Sequence, residues 1–304
     1  MGKKTGVLLM AFGGADSLDT VEPFMRNVLK KRPVTAEFIE KTKERYRVIG
    51  GKSPLLDITL AQAKGVEEIL NREGDRYRVY VGMLNWKPFI KETLHRMRDD
   101  GITEAAAFIM SPFTSPVATG AYEKVLYDTL DEMGGALKVK LLINWHISPA
   151  FSEIIIGKIE KELKAFKKKE DALVIYSIHS LPREALEGDA YEMKIHQAVD
   201  EIKKRVNYDY RVAYQSQGTS ALNWLGPRTD EVIEEAGKKG KKGVVVVPLG
   251  FVADHIETLY DIDILFKTTA ETQGLVFRRT ESLNTTLEFL ELLADLVKTC
   301  GEIY

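Results

Sequence analysis

Short apolar segments alternate with longer amphipathic segments along almost the whole chain, and this alternation limits the folds open to it. Unbroken apolar runs predict β-strands buried on both faces, at residues 7–12, 77–83, 105–110, 137–143, 172–177, 210–215, 243–249 and 274–277. Apolar residues recur at helical spacing between them, above all at residues 35–46, 55–72, 88–99 and 227–238. Strands that alternate with helices in this way indicate βαβ units, and therefore an α/β fold of mostly parallel sheets flanked by helices.

The predicted strands divide into two groups, four before about residue 145 and four after it. We therefore predict two similar α/β lobes, at residues 1–145 and 146–280, and a terminal helix within 281–304 that packs back on the first lobe. Ligands bind at the carboxyl ends of the strands in open parallel sheets. The loops that follow the strands are thus where site residues are expected.

The composition argues against several classes of function. The 304 residues carry 43 basic and 45 acidic side chains, so the chain has no positive field to attract nucleic acid. Cys300 is the only cysteine, which rules out an intrachain disulfide and a cysteine-bound iron–sulfur cluster within one chain. Neither a membrane-spanning apolar run nor a signal peptide is evident at the N-terminus. We expect a cytoplasmic protein with a small-molecule substrate.

Two loops that follow predicted strands carry side chains suited to metal and proton chemistry. His179 follows the strand at 172–177, and a neutral imidazole can accept a proton or bind a divalent metal. Asp254, Glu257 and Asp261 follow the strand at 243–249 at spacings of three and four, which predicts one acidic helix face, with His255 turned away from Glu257. A divalent cation would neutralise such a row. A structural histidine and a solvated acidic face remain open alternatives.

Five motifs resemble those of ferrochelatases and occur in the order found in that family. Residues 177–182, Ser-Ile-His-Ser-Leu-Pro, are similar to the signature Ser-x-His-Ser-Leu-Pro, and residues 248–260 resemble the second signature almost residue for residue. The other motifs lie at residues 9–14, at 45–55, and at 214–216 together with 224–227. The resemblance extends from about residue 6 to the last helix.

The resemblance implies two Rossmann-like lobes that enclose a porphyrin cleft, and a lyase that inserts Fe²⁺ into a porphyrin in haem biosynthesis. It makes His179 the base for the pyrrole protons, assisted by Glu257, and it makes His179, Glu257 and Asp261 the metal-binding residues. The substrates would be Fe²⁺ and a porphyrin, with no permanently bound cofactor and no transmembrane segment. Transient contact with neighbouring enzymes of the haem pathway is also expected. The residues implied to contact the porphyrin are Phe12, Arg45, Tyr46, Ser53 and Tyr122.

Two positions depart from the pattern of the family. Phe12 stands where members that act on coproporphyrin carry a tyrosine able to ligate the product iron, and Leu265 stands at the third acidic position of the metal-facing helix. The choice between protoporphyrin IX and coproporphyrin III therefore stays open. Two other functions also stay open: a related chelatase that loads cobalt or nickel into another tetrapyrrole, and a porphyrin or haem carrier without turnover.

Overall fold

The computed structural model describes residues 4–30, 33–218 and 222–300, which form two compact units. One unit contains residues up to 143 together with residues from 284 onward, and the other contains residues 144–283. Strands and helices alternate along the chain in the order β1 Thr5–Ala11, α1 Val21–Leu29, α2 Ala36–Val48, α3 Leu55–Leu70, β2 Tyr77–Met83, α4 Ile90–Asp99, β3 Glu104–Ile109, α5 Pro116–Glu132, β4 Lys138–Leu142, α6 Pro149–Leu163, β5 Ala172–His179, α7 Tyr191–Lys203, β6 Tyr210–Gln215, α8 Thr229–Lys238, β7 Gly243–Val247, a π-helix Glu257–Phe266, α9 Lys267–Thr272, β8 Val276–Arg279 and α10 Leu287–Thr299.

The first unit is built on a parallel sheet with the strand order β2-β1-β3-β4. The central strands β1 and β3 are almost wholly buried, as expected for a sheet covered by helices on both faces. Leu8, Met10 and Ile109 of the sheet pack with Leu94 of α4 and Leu126 of α5 in one apolar core. This core holds the sheet in place, so the loop after β1 starts from a well-packed strand end.

Helix α10 belongs to the first unit although it lies at the far end of the chain. Leu290 of α10 packs against Gly65 in the middle of α3, where a Cβ would come within 2.5 Å of the leucine side chain. Glycine lowers helix stability, and at Gly65 the close approach of the leucine accounts for it. The Gln62 side chain also donates a hydrogen bond to the backbone oxygen of Asn284, at 2.8 Å. The first unit is therefore assembled from both ends of the sequence.

The second unit has a parallel sheet with the strand order β6-β5-β7-β8. Strand β7 is a run of glycine and four valines, all buried, and branched side chains of this kind favour a strand. Valines of β7 pack with Ile233 of α8 and with Ile262 and Phe266 of the π-helix. The π-helix is thus held against the sheet by its apolar side chains.

The two units repeat one local arrangement at the carboxyl end of an edge strand. Met83 donates its N–H to the backbone oxygen of Pro88 at 2.6 Å, and Tyr214 donates to that of Pro227 at 2.9 Å. Each proline follows a cis peptide, and the residue after it forms a parallel bridge back to the strand. The shared strand order and the shared turn indicate that the units are two copies of one folding pattern.

The predicted fold class is confirmed, since two parallel four-stranded sheets flanked by helices are present in the described residues. The strand predicted at 274–277 begins and ends two residues later, at Val276–Arg279, because Gly274 occupies a left-handed turn with φ of +69°. In the described ranges, no helix is both long enough and apolar enough to cross a lipid bilayer.

Candidate active site

His179 is the last residue of β5, at the carboxyl end of the central strand of its sheet. Its ring atom Nδ1 lies 2.6 Å from the backbone oxygen of Ser180. A carbonyl oxygen only accepts hydrogen bonds, so Nδ1 carries a proton and donates it there. The backbone oxygen of His179 in turn accepts a hydrogen bond from the Tyr191 hydroxyl at 2.9 Å. The ring is therefore held through Nδ1, and Nε2 is the ring nitrogen that faces Glu257.

Glu257 lies between two imidazoles. Its Oε1 is 3.7 Å from Nε2 of His179, and its Oε2 is 3.7 Å from Nε2 of His255. The His255 ring is oriented like that of His179, because its Nδ1 donates to the backbone oxygen of Ala253 at 3.2 Å, and it packs on the Phe251 ring with centroids 4.8 Å apart. The prediction that His255 points away from Glu257 is wrong, since the backbone ahead of the π-helix turns the ring back.

The two imidazoles and the carboxylate of Glu257 face one another. With Nδ1 of each ring donating to a backbone carbonyl, Nε2 is the nitrogen of each ring that faces Glu257. A proton or a cation held among two imidazole nitrogens and a carboxylate would be stabilised by all three groups. The side chain of His255 is 16% exposed and that of Glu257 26%, so the cluster is only partly hydrated. The arrangement can take up a proton, and Glu257 with one of the imidazoles can offer two ligands to a divalent metal.

The helix that begins at Glu257 is a π-helix rather than an α-helix. Its i→i+5 hydrogen bonds widen each turn, and such turns occur frequently at functional sites. Asp254 lies ahead of this helix, so the predicted face shared by Asp254, Glu257 and Asp261 is wrong for Asp254. Asp261 is 6% exposed and accepts a hydrogen bond from the Ser216 hydroxyl at 2.8 Å. In the ranges described above, no three His, Cys, Asp or Glu side chains form a group that could hold a metal ion, so His179, Glu257 and Asp261 do not form one.

A buried polar chain holds the backbone of Glu257. The Gln215 side chain donates to the backbone oxygen of Glu257 at 3.1 Å, and its Oε1 accepts a hydrogen bond from the Ser177 hydroxyl at 2.6 Å. The Ser177 hydroxyl also lies 2.9 Å from that of Thr229 at the start of α8. All three side chains are almost completely inaccessible to water, so each of these hydrogen bonds must be kept in the folded state. Strands β5 and β6 thereby fix where the π-helix begins.

Arg279, the last residue of β8, contacts acidic residues on both sides of Glu257. Its Nε and Nη2 donate to the two oxygens of Asp263 at 2.7 and 2.9 Å, and its Nη1 donates to Asp254 at 3.1 Å. The Ser282 hydroxyl also donates to Asp254, at 2.7 Å. Burial raises the pKa of Asp263 above its ordinary value of 3.8, and the opposing effect of the guanidinium does not fully offset it.

In the first unit, aromatic side chains gather at the carboxyl end of β1. Phe12 directly follows the strand, is 44% exposed, and makes an edge-to-face contact with Phe24, which contacts Trp86 in the same way. The indole N–H of Trp86 donates to Asp16 at 3.1 Å. Burial works against the charge on Asp16, but hydrogen bonds from Trp86 and Thr20 outweigh it and lower the pKa of Asp16.

Tyr46 and Ser53, both predicted to contact a porphyrin, hold the glycine-containing loop after β1. The Tyr46 hydroxyl accepts a hydrogen bond from the backbone N–H of Ala15 at 3.2 Å, and the Ser53 backbone N–H donates to the backbone oxygen of Ala15 at 2.8 Å. A Cβ at Gly14 would lie 2.6 Å from the Ser53 side chain, so only glycine fits there. These contacts shape the loop next to Phe12.

Arg45 and Tyr122 come from two other elements of the first unit. Arg45 lies in the last turn of α2, and Tyr122 lies in α5, where its ring packs in the apolar core. Burial raises the pKa of Tyr122 well above its usual range, so its hydroxyl is neutral at physiological pH. Contact of Phe12, Arg45, Tyr46, Ser53 and Tyr122 with a porphyrin stays a prediction.

A sequence model of the ferrochelatase family matches residues 4–300. The chain belongs to the ferrochelatase family. It is 37% identical over 320 residues to the ferrochelatase of Geobacter metallireducens, an alignment that covers 99% of this chain and 100% of the relative. It is 34% identical to the coproporphyrin III ferrochelatase of Listeria monocytogenes, with 98% of each chain covered. Ferrochelatases insert a metal ion into a porphyrin in haem synthesis.

Solved structures show the same fold at low sequence identity. The structure of SirB from Bacillus subtilis with Fe³⁺ matches with a TM-score of 0.63 and 10% identity, and covers 98% of this chain and 96% of SirB. The sirohydrochlorin chelatase SirB from Bacillus subtilis subspecies spizizenii in complex with cobalt matches with a TM-score of 0.60 and the same identity. The ferrochelatase family and the SirB proteins therefore share an architecture.

Two residues that the structure places beside Glu257 or its helix, Gln215 and Arg279, are not among the site residues predicted from the sequence. His255 is predicted near the site, in a supporting role, but on the wrong face. The signal for Gln215 lay in its motif, residues 214–216, next to the end of β6. Arg279 could have been noticed as a charged residue just after the strand predicted at 274–277, in the same lobe as His179.

Proposed function

We propose that this chain is a lyase that inserts Fe²⁺ into a porphyrin, with His179 as the base and Glu257 as its partner. One observation carries the proposal: the Nε2 atoms of His179 and His255 lie 3.7 Å from the two oxygens of one carboxylate. Membership of the ferrochelatase family supports metal insertion as the reaction. The finer assignments below are argued from the contacts of this chain.

The tautomer of His179 suits it for proton abstraction. Because Nδ1 donates to the backbone oxygen of Ser180, Nε2 is the atom that accepts a pyrrole proton. The imidazolium that results is stabilised by the carboxylate of Glu257 at 3.7 Å. Two pyrrole protons must leave for each metal ion inserted. His255 faces the other oxygen of Glu257 and provides a second acceptor of the same kind.

The same groups can hold the metal before transfer. Imidazole and carboxylate together bind first-row divalent ions. Glu257 and one imidazole supply two ligands, which leaves several coordination positions of Fe²⁺ open to water and to porphyrin nitrogens. A site with few protein ligands releases its metal more readily than a closed structural site does. The role of Asp261 in metal binding, and the contact of the predicted first-unit residues with the porphyrin, stay predictions within this proposal.

The test is anaerobic insertion of Fe²⁺ into protoporphyrin IX and into coproporphyrin III, measured side by side by the change in porphyrin absorption. His179→Ala is the variant, and His196→Ala, on the outward side of α7, is the matched control. We expect turnover of at least one porphyrin, a loss of about 10²–10⁴-fold in His179→Ala, and no loss in the control. Tight porphyrin binding without any turnover would contradict the proposal and favour a carrier. Insertion of Co²⁺ or Ni²⁺ but not Fe²⁺ would contradict the choice of metal.

A further inference from the structure

Two acidic side chains, one just before the π-helix and one within it, share one cation. Asp254 lies three residues before Glu257 and Asp263 lies six residues after it, and both carboxylates are hydrogen-bonded to the guanidinium of Arg279. The contact with Asp263 is bidentate, a geometry that lysine cannot reproduce. Arg279 therefore connects the end of β8 to side chains before and after Glu257 in the chain.

The hydrogen bonds of this cluster form between side chains that are partly or largely buried. The side chains of Arg279 and Asp254 are 15% and 16% exposed, and that of Asp263 is 34% exposed. Charges removed from water to this extent are costly unless they are paired. Without the guanidinium, the two carboxylates would repel each other across the first turns of the π-helix. The pairing also occupies these carboxylates, so they compete less with Glu257 for a divalent ion.

A π-helix needs support from its surroundings, because this form is rare outside single turns. Glu257 is supported on one side by Gln215, which holds its backbone oxygen. Arg279 supplies the corresponding support from β8, through side chains before and after Glu257. We propose that Arg279 is a positioning residue that fixes the π-helix, so that the carboxylate of Glu257 stays between His179 and His255. The expected effect of Arg279 on the use of Fe²⁺ rests on the proposed function, whereas its expected effect on the stability of the π-helix does not.

Arg278 provides a matched control within the same strand. It is adjacent to Arg279 on β8, its side chain lies on the opposite face of the sheet, and it pairs with the buried Glu162 at 2.7 Å. Replacing Arg278 by glutamine removes an ion pair to a buried carboxylate from the same strand, although the Arg278 side chain itself is 46% exposed, against 15% for Arg279. Any effect common to Arg278→Gln and Arg279→Gln therefore reflects general stability rather than positioning.

The experiment has two readouts, made on the full chain. Hydrogen–deuterium exchange of the ligand-free protein should be about tenfold faster or more for residues 254–266 in Arg279→Gln, and unchanged there in Arg278→Gln. In anaerobic Fe²⁺ insertion, Arg279→Gln should raise the KM for Fe²⁺ about tenfold with little change in the KM for the porphyrin, and Arg279→Lys should recover part of the loss. Unchanged exchange over 254–266 in Arg279→Gln would overturn the inference. So would an equal effect of Arg278→Gln.

The two proposals fail in distinguishable ways. A wild-type chain that inserts no metal contradicts the proposed function, while the exchange readout still decides the role of Arg279. A wild-type chain that inserts Fe²⁺, with the same KM for Fe²⁺ in Arg279→Gln, contradicts positioning alone. If Arg279→Gln does not fold, Asp263→Asn replaces it, because that change breaks the bidentate pair and leaves the arginine in place. Exchange over 254–266 should then rise in Asp263→Asn, and an unchanged rate would overturn the inference.

Discussion

Phe12 and His179 occupy equivalent positions in the two sheets. Phe12 follows Ala11, which pairs with Met83, and His179 follows Ile178, which pairs with Tyr214. Met83 and Tyr214 are the two residues whose N–H groups donate to the backbone oxygens of the prolines that follow cis peptides. The same place in a repeated fold thus carries an apolar ring in one unit and an imidazole in the other. The two copies share a backbone arrangement but carry side chains of different chemistry at this position.

Phe12→Tyr tests whether the aromatic position takes part in binding the product. The phenylalanine ring is 44% exposed, so a hydroxyl can be added without disturbing the core. If Phe12 faces the porphyrin, the tyrosine oxygen can ligate the product iron, and we expect a shifted absorption spectrum of bound ferric product and slower product release. The spectrum of the product complex is the measurement. Phe24→Tyr is the control, and an unaltered spectrum in Phe12→Tyr would place the ring away from the metal.

The two imidazoles beside Glu257 should differ in importance. His179 ends a strand and is 37% exposed, whereas His255 is 16% exposed and packs on Phe251, so His179 is the more accessible to a substrate. We expect His255→Ala to lower kcat/KM for Fe²⁺ by about tenfold, less than His179→Ala does. Steady-state kinetics with varied Fe²⁺ check this order. A larger loss in His255→Ala would make His255 the principal base.

Gln215→Leu should lower both stability and activity. The substitution leaves the Ser177 hydroxyl and the backbone oxygen of Glu257 without the amide that now satisfies them, which costs about 1–3 kcal/mol of the free energy of unfolding. Urea denaturation measures this cost. Gln273→Leu, on the exposed surface after α9, should change it by less than about 0.5 kcal/mol. Equal stabilities of the two variants would show that the buried chain does not hold the π-helix.

Asp16 should make a small, pH-dependent contribution to stability. Its pKa is lowered below 3.8, so the folded chain favours the ionised form, and the contribution is present above that value and lost as the pH falls through the lower folded value. Asp16 is largely exposed, so Asp16→Asn should cost no more than about 0.5 kcal/mol at neutral pH and nothing in strong acid. Urea denaturation at pH 7 and pH 2.5 is the check, with Asp19→Asn as the charge control. A difference that persists or grows in acid would contradict the assigned sign.

The strands and the fold class could be predicted because apolar runs and helical spacing are local properties of the sequence. The valine run of β7 is an example, since burial on both faces leaves an uninterrupted apolar segment. The position of His179 at a strand end, and that of Glu257 in the segment after β7, followed from the same pattern. Their expected role in porphyrin chemistry came from motif resemblance, because periodicity alone does not distinguish one metal reaction from another.

The remaining features depend on contacts distant in sequence. The face of His255 was assigned from α-helical geometry, but the backbone before Glu257 and the π-helix after it change the angles between side chains. The link from Arg279 to Asp254 spans 25 residues, and the link from Gln215 to Glu257 spans 42. No local sequence pattern predicts these hydrogen-bonded pairs, because they form only when the strands of the second sheet lie side by side.

The position of α10 bears on how the chain is made. Between the end of β4 and Leu290, the ribosome must add the whole second unit, which at roughly 5–20 residues per second takes on the order of ten seconds or more. During that interval the apolar side of α3 around Gly65 has no Leu290 to cover it. The unit whose synthesis begins first is therefore the last to be completed, and its exposed helix is where a nascent-chain chaperone would be needed.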